Sequence, residues 1–219
     1  MGKVENPVRQ EVERVIEKEG LLDFIINAVL TEDSHIHDVR CGHFIQAHRA
    51  CVAVAEKYYY RDAEPADAVV IGCGKWGADL WVGSMSLYSA EFFLKKGGTI
   101  IALEACPEGV SPMHPEILKY GYRPYKEVKK LVDDGTLSGD LTMAAHLIHV
   151  GRVLEAREAE CILLSDGISR EDAAKLGFGY MDSVEEIVPY IRKKYGEGAR
   201  ILAIPGFAST NVISRHPAP

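Results

Sequence analysis

The chain has 219 residues, 47% of them hydrophobic and 26% charged, with a net charge of −7 and a pI near 5.6. That length suits one large domain, or one domain with a smaller segment, and the composition supplies a sizeable core. The acidic balance argues against broad contact with a nucleic-acid backbone, and no apolar run approaches the roughly 18 residues of a membrane span.

The N-terminus reads MGKVENPVRQEVERV. It is charged and helical in pattern, unlike a signal peptide, and Met1-Gly2 lacks the hydroxyl residue that myristoylation expects. Five cysteines, Cys41, Cys51, Cys73, Cys106 and Cys161, form no C-x-x-C pair. An odd count at irregular spacing fits reduced thiols and a cytoplasmic location.

Asn6-Pro7 opens a charged helix that stops at Gly20. LLDFIINAVL reads as a strand, TEDS as a turn and HIHDVR as a second strand, together a hairpin. HFIQAHRACVAVAEKYYY has the apolar spacing of a buried helix. Arg61–Pro65 is polar and turn-like, and marks a boundary between residues 1–64 and 65–219.

Beyond it, ADAVVIG is a strand and SMSLYSAEFFLKKGG reads as a helix ending at Lys95-Lys96 and glycine. TIIALEAC is a second buried strand, and CPEGVSPMHPE an irregular loop. Helices are expected around HPEILKY, PYKEVKKLVDD and GDLTMAAHLIHVGRVLEAR, followed by strand ECILLS. Ser169 starts a short helix. Ser183-Val184-Glu185-Glu186 is a capping box for another, which Pro189 is expected to kink. ARILAIPG is the last strand, and the tail NVISRHPAP reads as frayed or dependent on a partner. Strands alternating with helices imply an α/β fold, a mainly parallel Rossmann-like sheet flanked by helices, with the N-terminal helix and hairpin as a separate segment.

Gly72-Cys73-Gly74-Lys75-Trp76-Gly77 is G-x-G-x-x-G at a strand exit. Glycines there allow positive φ and close approach to an anion. Three readings stand: a dinucleotide site, a sharp strand-to-helix turn, or a loop lining another ligand's crevice at the strand's carboxyl end. Glu104, ending the next strand, is the candidate for holding a ribose, although it lies farther off than the usual spacing of about 20 residues.

His35, His37, Cys41, His43, His48 and Cys51 crowd one stretch without the usual zinc-ligand spacing, so packing and surface roles compete with a metal site. Cys106, just past a strand end, reads either as a buried inert thiol or as a nucleophile awaiting a base. His146 and His149 sit three apart in an apolar helix, with His146 at the edge of a core or a crevice.

The order of these pieces resembles the second half of the nickel-dependent lactate racemase (LarA-like) family. The matching pieces are Asn6-Pro7, DFIINAVL, Gly42 with Ala47-His48-Arg49, ADAVVIG with its glycine loop and Asp79, KKGGTIIALEACPEG, the His146 helix, Ser165 with the capped helices, and ILAIPG. The resemblance covers nearly the whole chain. It implies a two-domain enzyme with its site in the interdomain cleft, acting on a small 2-hydroxy acid such as lactate through a nickel pincer nucleotide. In the family the cofactor's lysine, the nickel's histidine and the two proton-moving histidines lie in the other half of the protein. Of the histidine cluster here, only His48 falls on a family position.

The family loop, G-G-x-P-x-D followed by Tyr-Gln, faces cofactor and substrate. Here Gly74 and Asp79 match it, while Lys75 and Gly77 replace its second glycine and proline. Lys75 offers a cation to a carboxylate or phosphate. The implied binding residues are therefore Gly72, Gly74, Lys75, Trp76, Asp79, Glu104 and His146, with no metal ligand among them. The implied partner is a missing N-terminal catalytic half, and the isolated chain is expected to be inactive. A nucleotide- or dinucleotide-binding module and a noncatalytic scaffold are the competing readings.

Overall fold

The computed structural model describes residues 4–31, 34–205 and 213–214, without the side chains of Lys75 and of 213–214. The expectations for Met1-Gly2, for the middle of the TEDS turn and for most of the tail lie outside these residues. The chain divides into two compact units, Met1–Arg61 and Asp62–Pro219.

In the first unit, α1 (Pro7–Glu19) starts at Asn6, whose side-chain oxygen accepts the Arg9 N–H at 2.9 Å, and ends on left-handed Gly20. That is the expected helix, with proline in its first turn and glycine past its end. β1 (Ile25–Leu30) and β2 (Ile36–Gly42) form the expected antiparallel hairpin. Helix α2 (Phe44–Tyr59) covers one face of it, burying Phe44, Ala47 and Cys51 beside Val29. Arg49 reaches both carboxylate oxygens of Glu13 at 2.8 and 3.0 Å, tying α2 to α1. A short strand, β3, occupies Tyr60–Arg61.

The second unit is built on β4 (Ala66–Ile71), β5 (Leu94–Leu103), β6 (Glu160–Leu164), β7 (Gly179–Tyr180) and β8 (Ile201–Ile204). The five form one parallel sheet in the order β7-β6-β5-β4-β8. Alternation along the strands sends Val69, Ile71, Ile100, Ala102 and Leu163 to one face, and Ala68, Ile101 and Ile162 to the other. The first face carries α3 (Leu80–Gly83), α4 (Ser86–Ala90), α5 (Ile117–Tyr120), α6 (Tyr125–Asp133), α7 (Leu141–Arg157) and α8 (Arg170–Lys175). The second face is covered through Ile187 and Ile191 of α9 (Ile187–Tyr195). The remaining short strand, β9, is Ile213–Ser214.

This is the α/β sheet the sequence implied, with two local corrections. The stretch read as one helix through Lys95-Lys96 holds a single short helix that ends at Ala90, and Lys95–Gly98 lies inside β5. The register shifts there, with Ala66 paired to Leu94 and Ala68 to Thr99, so the basic and glycine residues bulge from the strand. Pro189 does not lie in a helix interior, because the α-helix begins only at Ile187, after a 3-10 turn at Val184–Glu186. It occupies the first turn of α9, where its missing N–H has no partner to lose.

Chain order dictates where a ligand can enter. From β4 the chain crosses the first face to β5, and from β7 it crosses the second face through α9 to β8. The two crossings use opposite faces of the sheet, and β4 lies where the strand order reverses, the place at whose carboxyl end open α/β sheets take their ligands.

Candidate functional site

β4 delivers Gly72 and Cys73 to that carboxyl edge. A tight turn follows at Gly74–Trp76, with Gly74 at φ 56°, and then Asp79 caps α3 by accepting the Val82 N–H at 2.9 Å. The residues Leu80–Gly83 are this helical turn.

The glycines mainly solve a packing problem. A Cβ at Gly72 would lie 2.0 Å from the Leu103 carbonyl oxygen, and one at Gly77 2.6 Å from a Glu104 carboxylate oxygen. Both distances are impossible for a real side chain. The loop is thus pressed onto the end of β5, and Glu104 fills the space beneath it.

Glu104 is 2% exposed. Its carboxylate accepts the Cys73 N–H at 3.0 and 3.1 Å and the Ser86 hydroxyl at 3.0 Å. Burial pushes its pKa up to about 7, against the lowering effect of those hydrogen bonds. A residue expected to reach a ribose instead supports the loop from inside.

A second loop knits to the first through the backbone. Cys106 N–H bonds Gly77 O at 3.2 Å, Glu108 N–H bonds Ala78 O at 2.9 Å, Leu80 N–H bonds Gly109 O at 3.0 Å and Trp81 N–H bonds Val110 O at 3.1 Å. The third loop, after β6, joins through Gly167, whose N–H bonds Ala105 O at 2.9 Å. A Cβ at Gly167 would sit 1.7 Å from the Cys106 carbonyl oxygen. The Ser165 hydroxyl accepts from the N–H groups of Gly167 and Ile168 at 3.2 Å each. Three strand ends therefore carry one fused rim.

Cys106 lies within that rim, fully buried at φ 46°. Burial, then the Glu104 charge, pushes its thiol up to about 12, and Cys73 reaches about 12 for the same reasons. Both thiols are chemically quiet at neutral pH.

His146, on α7, joins the rim through aromatic contact. Its ring stacks on Trp81 with centroids 3.7 Å apart, and His114 stacks on the same indole at 4.1 Å. Nε2 of His146 lies 2.9 Å from the Tyr122 hydroxyl and 3.3 Å from the Ser84 hydroxyl. Burial, then the nearby His114 and His149, lowers its pKa to about 4. It is a neutral histidine holding three elements together.

Gly72, Gly74, Trp76, Asp79 and Glu104, with the backbone of Lys75, thus fall in one loop system, and His146 reaches it through Trp81. Gly74 and Trp76, the latter 49% exposed, form the outer lip. Trp81, His114, Ser84, Ser86 and Tyr122 were not singled out from sequence, whereas Ser165 entered only as a matching piece of the family resemblance. Trp81, two residues past Asp79, stands nearest the glycine loop in sequence.

The histidines of the first unit do not converge. His37 contacts the Tyr58 hydroxyl at 2.9 Å, Nδ1 of His43 accepts the Ile45 N–H at 3.4 Å, and His48 lies 3.1 Å from Arg49. Among the described residues no three histidine, cysteine, aspartate or glutamate side chains are grouped to hold a metal. Nor, among them, is any helix long and apolar enough to cross a membrane.

Comparison with solved structures places this architecture. The lactate racemase apoprotein from Thermoanaerobacterium thermosaccharolyticum superimposes with a TM-score of 0.82 at 20% identity, over 96% of this chain and 50% of that one. Its fold is that of one half of this apoprotein. A structural-genomics target from Thermotoga maritima matches with a TM-score of 0.70, also at 20% identity, over 98% of this chain and 55% of that one. The chain thus spans about half the length of the structures it matches. No family model matches it, and no curated protein matches by sequence.

Proposed function

We propose that the chain is the C-terminal half of a racemase or epimerase acting on a small 2-hydroxy acid such as lactate, with the rim at 72–83, 104–111 and 165–168 as one wall of the cleft. The likeness to a lactate racemase apoprotein over almost the whole chain carries this reading. The position of the rim at the carboxyl edge, beside the switch between β4 and β8, supports it.

The family's nickel pincer nucleotide finds no nickel ligand set among the described side chains. In this reading the complementary half holds the metal, the tethering lysine and the proton-moving histidines. The residues here shape the wall. Gly74 and Trp76 form its lip, Asp79 fixes the turn that follows, and Glu104 and His146 keep the rim rigid from behind. Lys75, the middle residue of the turn, adds a cation suited to a carboxylate or phosphate. A rigid wall of this kind contributes by orienting substrate and excluding water.

The test is lactate racemisation followed by chiral chromatography. The chain alone is expected to be inactive even with cofactor supplied, and activity is expected with a complementary half. Racemisation by the chain alone would overturn the placement of the chemistry. The dinucleotide reading has lost its acidic partner, since both oxygens of Glu104 are engaged by the loop. Calorimetry with NAD(P) and adenine nucleotides distinguishes it from the racemase reading, and a scaffold would show neither binding nor activity.

A further inference from the structure

The hairpin of the first unit has one covered face and one bare face. Val29 is buried toward α2, and His37 meets Tyr58 on that helix, with ring centroids 4.1 Å apart. The register pairs Ile26 with Cys41, Ala28 with Val39 and, past a bulge, Leu30 with Ile36. These six side chains share the opposite face, and all are exposed, Ile26 at 72% and Ile36 at 67%. None carries a charge. The charged residues of β2, Asp38 and Arg40, are paired with Val29 and Asn27 and fall on the α2 side. An alternating strand ordinarily turns its polar residues to water, and this hairpin turns its apolar ones outward.

We propose that this bare face is the docking surface for the complementary half of the protein, a protein domain presenting an apolar, uncharged layer. The inference rests on the two-half reading given above and adds where the halves meet. Both matched structures cover this chain almost completely, its first unit included, yet extend about as far again beyond the match. A body of roughly this chain's size is therefore the occupant in view.

A second copy of the chain fits less well. Two strands about 4.8 Å apart and six residues long present a face of only ~200 Å². A stable interface needs about 800 Å² from each partner, so this face can serve only as one part of a larger contact, which two hairpins laid face to face do not supply. A two-stranded sheet with one helix behind it is itself marginal and calls for a further layer.

Cys41 provides the readout, because it is exposed on this face while Cys51, Cys73, Cys106 and Cys161 are buried. The probe is the half of the Thermoanaerobacterium thermosaccharolyticum lactate racemase that lies outside the match, expressed as a separate polypeptide. Its binding is measured by sedimentation, and Cys41 reactivity by alkylation with an uncharged maleimide. Binding is expected to slow alkylation of Cys41 by roughly tenfold or more, and Ile26→Lys or Val39→Lys to weaken binding by a similar factor. Val188→Lys, at an exposed site in the second unit, is expected to leave binding unchanged. Circular dichroism confirms that each variant is folded. Binding that leaves Cys41 fully reactive overturns this surface while the two-half reading stands. Absence of binding with the folded wild-type chain overturns both. A dimer of the chain alone that Val39→Lys dissociates assigns the face to a second copy and overturns the proposal.

Discussion

The imidazole of His146 lies against the indole of Trp81 at 3.7 Å between centroids and 11° from parallel. The two residues belong to helices far apart in sequence, and their contact fastens the turn after β4 to the longest helix of the second unit. The indole is therefore structural. Trp81→Leu is expected to destabilise the second unit by about 2 kcal/mol, and Tyr122→Phe, which removes a buried partner of His146, by about 1–2 kcal/mol. Trp76→Leu, on the exposed lip, should cost about 1 kcal/mol or less. Urea titrations of the three variants give this order, and equal losses at Trp76 and Trp81 would contradict it.

Glu104 and His146 oppose each other in pH dependence. Folding raises the Glu104 pKa from 4.5 to about 7, so the native state holds a proton that the unfolded state releases, and stability falls as pH rises from about 4.5 to 7. Folding lowers the His146 pKa from 6.5 to about 4, so stability is fully present above 6.5 and is lost as pH falls toward 4. Between about pH 4.5 and 6.5 the two slopes, each at most about 1.4 kcal/mol per pH unit, largely cancel. Glu104→Gln should leave stability rising with pH across that window, and His146→Gln should leave it falling. Thermal unfolding followed by tryptophan fluorescence from pH 4.5 to 7.5 reads the slopes, and parallel profiles in both variants would refute the pairing. His48, lowered by burial and by Arg9 and Arg49, acts in the same direction as His146 but in the first unit.

Gly167→Ala and Gly72→Ala should each cost more than about 3 kcal/mol or prevent folding, because their Cβ atoms would fall 1.7 and 2.0 Å from carbonyl oxygens. Gly139→Ala meets nothing within 4 Å and serves as the neutral control. Chemical denaturation of the three separates packing from a general glycine effect.

Asp79→Ala removes the cap of α3 and should cost about 1 kcal/mol, whereas Asp79→Asn keeps the acceptor and should cost little. Under the proposed function, Trp76→Ala in the chain joined to its complementary half should lower kcat/KM for a 2-hydroxy acid such as lactate by roughly tenfold without a matching loss of stability. Unchanged kinetics would remove Trp76 from the cleft wall.

Much of the fold was legible because its strands are short apolar runs. ADAVVIG, TIIALEAC, ECILLS and ARILAIPG each became a strand of the parallel sheet. The error at Lys95–Gly98 has a clear cause: lysines followed by glycines mark a helix end as well as they mark a bulged strand, and only the pairing to Ala66 and Ala68 decides. The glycine loop was located, but its internal logic was not. Glu104 reaches Cys73 across 31 positions, and His146 reaches Ser84 across 62. Contacts at such separations have no local signature, so Ser84, Ser86, Tyr122 and His114 gave no sign of their roles. The outward apolar face of the hairpin was equally hidden, because alternation reveals two faces without saying which one α2 will cover.

The backbone bonds joining 77–81 to 106–110, with Gly167 closing against Cys106, constrain how this region can be exchanged between relatives. A transplant of residues 72–83 alone would carry a curvature cut to fit another protein's Glu104 and another protein's Gly109. Transfer of specificity by chimera should succeed only when 72–83, 104–111 and 165–168 move as a set, which makes the three loops a single unit of inheritance although they are separated in the gene.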